Sequence, residues 1–287
     1  MKRVALLGDP VAHSVSPAMH NAAFAALHLP WGYTAIQVSA VDLPELIHQL
    51  RGPDWAGANV TVPHKVAAAG LVDQLSEAAR RIGAINTIVN TQGTLVGHNT
   101  DVGGFTSDLA AHGVDVVGRT AVILGAGGAA RAVAHALKSL DGRLRVVCRD
   151  PEAGRRLVST LAVAAEAPRV FSWTTDGFEA AAEGAALIVN ATPVGTSPDI
   201  FVTPWPADLR LPRETFVYDL AFNPPETRLV AAARGAGLDA CGGLGMLVEQ
   251  GALAFQLWTG SPPPRGVMTA AAVAALEKQN AQISLGR

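Results

Sequence analysis

Ala121-Val122-Ile123-Leu124-Gly125-Ala126-Gly127-Gly128-Ala129-Ala130-Arg131 sets an apolar run directly ahead of a glycine loop and a helical stretch, Arg131 to Leu140. The loop fits G-x-G-x-x-G/A in the strand, turn and helix setting that a dinucleotide site requires. In that reading Gly125 makes the tight turn and Gly127 lets a pyrophosphate approach the backbone. Ala130 is small enough for close packing of helix on strand, and the helix N-terminus supplies N–H donors. A glycine turn of purely structural purpose reads the same in isolation; the following strand, Arg143 to Cys148, favours the dinucleotide site. At the end of that strand stand Cys148-Arg149-Asp150. Arg149 suits a ribose 2′-phosphate, and Asp150 suits a free 2′-hydroxyl unless its side chain turns outward.

Apolar β-type runs continue at Leu187 to Asn190 and Phe216 to Leu220, so the second half of the chain reads as a doubly wound parallel sheet. The first third alternates in the same way. Runs at Val4 to Leu7, Tyr33 to Val38 and Ala58 to Val62 are separated by helical stretches rich in Ala and Leu, which predicts parallel pairing through crossovers. Ser16 and Pro17 predict a helix from Pro17 to Leu27, with Ser16 as its cap and Pro17 at its first position. Thr87 to Asn90 and Leu95 to His98 read as a hairpin across Gln92 and Gly93. A helix beginning at Asp101 and ending near Gly113 follows, and helices from Gly245 to Trp258 and from Val267 to Lys278 close the chain. The fold class is therefore α/β with two domains. The expected division is 1–106 as an α/β substrate domain, 107–244 as the dinucleotide-binding domain and 245–287 as C-terminal helices; 287 residues suit about two domains.

Composition removes several function classes. Charged residues are 16% of the chain and the formal net charge is -2, so no basic field exists for nucleic acid or an anionic membrane. No apolar run approaches the ~20 residues of a membrane span. Two cysteines, Cys148 and Cys241, offer neither a disulfide framework nor Cys-x-x-Cys spacing, and the eight histidines are scattered. These features predict a soluble cytoplasmic protein that acts on small molecules without a metal, and they leave monomer and homodimer both open.

Polar groups gather where an α/β sheet presents ligands, at strand ends and helix starts. Ser14 and Ser16 follow the first strand, where two hydroxyls at a helix N-terminus suit a carboxylate; a plain cap explains Ser16 equally well. In Asn59-Val60-Thr61-Val62-Pro63-His64-Lys65 the alternation turns Asn59 and Thr61 to one side and packs Val60 and Val62 on the other. Lys65 then lies at a strand exit among uncharged hydrogen-bonding groups, a position that suits an acid–base role better than a solvated surface lysine. Asn86 and Asn99-Thr100-Asp101 complete the set, although capping alone would account for Asp101.

Ser14-Val15-Ser16-Pro17, Asn59 to Lys65, Ile82-Gly83-Ala84-Ile85-Asn86-Thr87 and Asn99-Thr100-Asp101 together resemble the shikimate dehydrogenase family in order and spacing. So do Gly125 to Ala130, Asn190-Ala191-Thr192-Pro193-Val194-Gly195, Tyr218-Asp219-Leu220 and Gly243 to Gln250, so the likeness covers nearly the whole chain. The resemblance implies a substrate domain followed by a Rossmann-type domain. It also implies reversible NADPH-dependent reduction of 3-dehydroshikimate to shikimate, on the route to chorismate and the aromatic amino acids. It makes Lys65 and Asp101 the catalytic pair, and Ser14, Ser16, Asn59, Thr61, Asn86 and Gln250 the substrate-holding groups. Gly125, Ala126, Gly127, Gly128, Ala129, Arg149, Thr192, Leu220, Gly243 and Met246 become the cofactor-lining set, and the last helices fold back onto the substrate domain.

Three positions depart from the commonest family pattern. Cys148 and Asp150 stand where Asn and Thr usually flank the arginine, which leaves NAD open beside NADP. Phe222 stands where a tyrosine usually meets the substrate. Three other readings fit less of the sequence: an NAD-dependent quinate/shikimate dehydrogenase, a folate-linked dehydrogenase of similar build, and a catalytically silent dinucleotide-binding regulatory module. The last has no reason to keep Lys65, Asp101, Asn86 and Gln250 together.

Overall fold

The computed structural model describes residues 1–161 and 167–285 and divides into two compact units, Met1–Gly104 with Val248–Arg287, and Phe105–Leu247. The first unit opens with β1 (Lys2–Gly8), α1 (Ser16–Ala26), β2 (Trp31–Gln37), α2 (Leu43–Gln49) and β3 (Trp55–Val60). It continues through α3 (Lys65–Ala69), β4 (Gln74–Leu75), α4 (Glu77–Ile82), β5 (Thr87–Thr91) and β6 (Thr94–His98). Helix α5 (Asp101–Ala111) carries the chain into the second unit. The strands form one sheet in the order β2-β1-β3-β5-β6-β4. Strands β2, β1 and β3 pair in parallel, β3-β5 and β5-β6 antiparallel, and β4-β6 parallel, so the sheet is mixed. The hairpin turns at Gln92 and Gly93, both with positive φ, the backbone a two-residue hairpin turn needs. One face buries Leu7, Leu43, Ile47, Trp55, Ala58, Ile85 and Ile88.

The second unit runs β7 (Thr120–Leu124), α6 (Gly128–Ser139), β8 (Arg143–Cys148), α7 (Pro151–Ser159), β9 (Arg169–Ser172) and α8 (Thr175–Ala182). It continues through β10 (Ala185–Asn190), β11 (Phe216–Asp219), α9 (Arg228–Gly235) and β12 (Ala240–Cys241). The order β12-β11-β10-β7-β8-β9, parallel throughout, is the doubly wound one, in which ligands bind outside the carboxyl ends of the strands where the winding reverses. That reversal lies between β7 and β10. Both strands are almost wholly buried, as strands covered on both faces must be. Helix α10 (Leu244–Thr259) leads back to the first unit, and α11 (Arg265–Leu285) packs against α1 there. The boundaries between the units thus fall inside α5 and α10. Among the described residues no helix is long and apolar enough to cross a membrane.

Two local expectations are corrected. Ser16 does not cap α1: it is the first helical residue, the cap position falls to Val15 with no side-chain bond, and Ser14 Oγ accepts the Ser16 N–H at 3.2 Å. Strand β3 ends at Val60: after the Thr61 N–H bonds to the Leu7 carbonyl and the Val62 carbonyl accepts from the Asp9 N–H, Pro63 has no N–H to continue the ladder. Val62, expected to pack inside, is therefore 61% exposed.

Candidate active site

Lys65 opens α3 and Asp101 opens α5. Their side chains meet, with Lys65 Nζ donating to Asp101 Oδ2 at 2.5 Å, and the two are only 14% and 5% exposed. Asp101 is thus more than a helix-start carboxylate. Its other oxygen, Oδ1, accepts from Asn86 Nδ2 at 2.8 Å. The same amide nitrogen lies 2.9 Å from Thr100 Oγ1 and 3.2 Å from Gln250 Oε1. An amide has two protons to offer three acceptors, so the acceptors around Asn86 exceed its donors, and a substrate hydroxyl can donate there. Asn86 Oδ1 in turn accepts from the Thr100 N–H at 2.7 Å. Gln250 reaches this point because α10 crosses α5 closely at Gly104, where an added Cβ would stand 2.7 Å from the Gln250 backbone nitrogen.

Behind these groups runs a buried relay. Tyr33 Oη donates to Asn59 Oδ1 at 2.8 Å. Asn59 Nδ2 donates to the Asn86 carbonyl and to Thr87 Oγ1, both at 3.0 Å. The Ser16 hydroxyl bonds to the Tyr33 phenol, whose own proton is held far more tightly than usual by burial. Asn59 therefore spends its amide on the protein and fixes the backbone at Asn86. The Thr61 hydroxyl is left without a protein partner among the described residues, and Ser14 and Ser16 stand at the start of α1. Within the first unit the structure thus links Ser16, Asn59, Asn86, Gln250, Lys65 and Asp101 in one hydrogen-bonded set. Phe222, half-buried, lies in the second unit, on the loop after β11. Tyr33 and Thr87 carry no binding signal of their own in the sequence; Tyr33 reads there as an ordinary strand residue, and its partner lies 26 positions away.

In the second unit, Gly125 follows β7 with φ +106, and a Cβ there would meet Thr192 Cγ2 at 2.9 Å, so the turn itself demands glycine. Gly127 differs. It caps α6 with φ -79, which any residue adopts, and an added Cβ would find nothing within 4 Å. The protein does not require glycine there, so the open backbone suits a group brought to the N-terminus of α6, where free N–H groups favour phosphate. Replacing Gly127 by Val is expected to leave the melting temperature within a few degrees while dinucleotide affinity, read by nicotinamide fluorescence, falls at least about tenfold, or 1.4 kcal/mol. Equal loss of stability would remove this assignment.

Asp150 is engaged at the start of α7. Its carboxylate caps α7 by accepting the Glu152 N–H at 2.9 Å and lies 3.4 Å from Arg156. Arg149 beside it is exposed and carries no ion pair among the described residues. Of the two alternatives read in Cys148-Arg149-Asp150, the acid is engaged and the guanidinium is available. Thr192 follows β10, with its hydroxyl and N–H bonded to Asn190 Oδ1 at 2.7 and 3.0 Å. Asn190 Nδ2 bonds to Asp219 Oδ1 at 2.8 Å, which ties the loops after β10 and β11 together. Burial raises the Asp219 carboxyl above its usual range, opposed by bonds from Thr227, Ala221 and Asn190. Gly243 bonds to Ala221 and packs on the Leu220 carbonyl too closely for any side chain, and Met246 is buried. These positions all lie at carboxyl ends of parallel strands or just beyond them.

Comparison with known proteins gives concordant results. Residues 6–88 match the family described as "Shikimate dehydrogenase substrate binding domain" and residues 243–273 match "Shikimate 5'-dehydrogenase C-terminal domain". The chain is 46% identical over 277 residues to the shikimate dehydrogenase (NADP(+)) of Symbiobacterium thermophilum, covering 96% of this chain and 94% of that one. It is 47% identical over 267 residues to that of Moorella thermoacetica, covering 92% and 90%. Among solved structures, the Thermus thermophilus shikimate 5-dehydrogenase in complex with NADP(H) and shikimate superposes with TM-score 0.85 at 40% identity, covering 96% of this chain and 100% of that one. A quinate dehydrogenase from Corynebacterium glutamicum in complex with NAD superposes with TM-score 0.86 at 32% identity, covering 95% and 99%.

Proposed function

Because the chain belongs to the shikimate dehydrogenase family, we propose that it reversibly reduces 3-dehydroshikimate to shikimate with NADPH, using Lys65 and Asp101 at the reacting carbonyl. The observation that carries this reading is the buried Lys65–Asp101 pair held by Asn86 beside Gln250. NADPH, when bound along the carboxyl ends of β7, β8 and β10, supplies the hydride. Lys65 gives a proton to the ketone oxygen as it becomes an alkoxide, and its charge stabilises that oxygen beforehand. Asp101 keeps Lys65 in place and accepts from a neighbouring substrate hydroxyl. Gln250 and Asn86 read the remaining hydroxyls, and Ser14, Ser16 and Thr61 hold the carboxylate.

Arg149 takes the 2′-phosphate, and Asp150, engaged as a cap, does not oppose it. Phe222 carries no hydroxyl to bond the substrate. The same reading takes the protein as a cytoplasmic enzyme of small molecules, a monomer or homodimer, and its two free cysteines suit a reducing compartment.

The test is reduction of NADP⁺ or NAD⁺, each offered with shikimate or quinate. Shikimate with NADP⁺ is expected to give the highest kcat/KM. Arg149→Ala is expected to raise the NADP⁺ KM about 10- to 100-fold, the loss of a charged hydrogen bond of about 1.5–3 kcal/mol, and to leave the NAD⁺ KM unchanged. A wild-type preference for quinate with NAD⁺ would replace this reading with the quinate one, and silence with every pair would end both.

A further inference from the structure

Beside the Gly243–Met246 segment, three side chains of different chemistry, none of them assigned above, converge in the second unit. Asp108 and His112 lie one turn apart on α5, and Cys241 ends β12. Their ligand atoms all lie within 4.8 Å of one another. Asp108 and Cys241 are buried, while the His112 ring is 40% exposed. The Asp108 carboxylate is seated from two sides. Tyr218 Oη donates a short hydrogen bond to Oδ2, and Oδ1 lies against Gly245, where an added Cβ would come within 2.0 Å. Oδ1 is also the oxygen that faces His112 Nε2, 3.9 Å away.

We propose that Asp108, His112 and Cys241 form a site for one zinc-class divalent cation, bound through a carboxylate oxygen, an imidazole nitrogen and a thiolate sulfur, with water as the fourth ligand. The donor set selects the class. Sulfur and nitrogen are poor ligands for magnesium or calcium, and a mixed S, N, O triad suits a borderline-soft ion without a strong geometric preference. Zinc takes such donors at about 2.0–2.3 Å, which places them about 3.4–3.8 Å apart. The cluster therefore has to contract by about 1 Å, and the half-exposed His112 ring supplies that by turning inward. Tyr218 holds the acid in the orientation that leaves Oδ1 for the ion, as hydrogen bonds behind metal ligands do.

On binding, the Cys241 S–H bond breaks, a sulfur–metal bond forms and the proton leaves to water; nothing is oxidised or reduced. The ion would cross-link α5 to β12 and stabilise the second unit, and the ketone chemistry at Lys65 does not need it. Cys241 and His112 are 129 positions apart in the chain, so no ligand spacing announces the site.

The test uses the full-length protein, freed of metal by chelation and titrated with Co²⁺ and then Zn²⁺. One equivalent of Co²⁺ is expected to produce a sulfur-to-cobalt charge-transfer absorption that Zn²⁺ quenches, with a higher melting temperature in the metal-bound form. Cys241→Ser should abolish the band, and Cys148→Ser should keep it. His112→Gln, at a position exposed enough not to disturb the core, should weaken Co²⁺ binding at least about tenfold, and it decides the matter if Cys241→Ser does not fold. Absence of the band in the wild type, its survival in Cys241→Ser, or unchanged affinity in His112→Gln would each overturn the site.

Discussion

Lys65→Ala is expected to lower kcat for shikimate oxidation by about three orders of magnitude, within the 10²–10⁴-fold range of a positioned acid–base group, and to move the shikimate KM less than about tenfold. The reason is geometric. Asn86, Gln250 and the backbone around them do not depend on Lys65 for their positions: Asn86 is held by Thr100, Thr87 and the Asn59 amide, so ground-state binding survives. What disappears is the proton and the charge at the carbonyl oxygen, which matter most in the transition state. Asp101→Asn should cost about 10²-fold, because Lys65 remains but loses its anchor, and the new amide can still accept from Asn86. The double variant should lose little more than Lys65→Ala alone, since the two residues act as a unit. Steady-state rates by nicotinamide absorbance decide this. More than a tenth of wild-type kcat in Lys65→Ala would remove Lys65 from the chemistry.

A second large effect is expected in acid. His20, on α1, is fully buried, and neither ring nitrogen has a hydrogen-bond partner among the described residues. It stacks on Tyr33 at 4.5 Å and meets Trp258 edge-on at 5.4 Å. Burial holds its pKa down to about 3, from 6.5. A histidine with a depressed folded pKa stays neutral in the native state while the unfolded chain takes up a proton below 6.5. Stability from this group is therefore complete above that pH and declines as the pH falls, until about 3, where the folded form protonates too. The loss reaches about 3 kcal/mol by pH 4.5 and a ceiling of about 5 kcal/mol at lower pH, at 1.36 kcal/mol per unit. Urea unfolding of the wild type and His20→Phe at neutral pH and near pH 4.5 tests it. The variant should lose less stability across that interval by about 3 kcal/mol, and parallel losses would show that His20 is not the group responsible.

Both effects rest on contacts that differ in how far the sequence displays them. Strand β7 ends where its apolar run does, because a strand buried on both faces has to be apolar there, while β8 carries an exposed Arg143 and a half-buried Arg145 ahead of its buried Val146 and Val147. The edge strands β4, β9 and β12 escape that reading. They are two to four residues long, and β9 holds only Val170 and Phe171, both half-buried, between exposed Arg169 and Ser172, too short a run to show a period. The glycine loop, Lys65, Asp101 and Asn86 are legible because each lies at a strand exit or helix start, places defined by local chain direction. Gly127 is legible too, but only the structure separates it from Gly125: Gly125 is required by its own turn, and at Gly127 the protein leaves open space.

The sequence by itself determined the longer strands and helices, the doubly wound half and the polar groups at strand ends, since periodicity and turn chemistry act over a few residues. Only the tertiary structure decided which polar groups bond to one another. The Tyr33–Asn59–Asn86–Asp101–Lys65 relay, the turning of Asp150 into a cap for α7, the solitary burial of His20 and the meeting of Asp108, His112 and Cys241 all depend on partners or packing that long-range folding supplies. A side chain's chemistry is written in its own position, but its hydrogen-bond partners and its exclusion from water are properties of the packed chain.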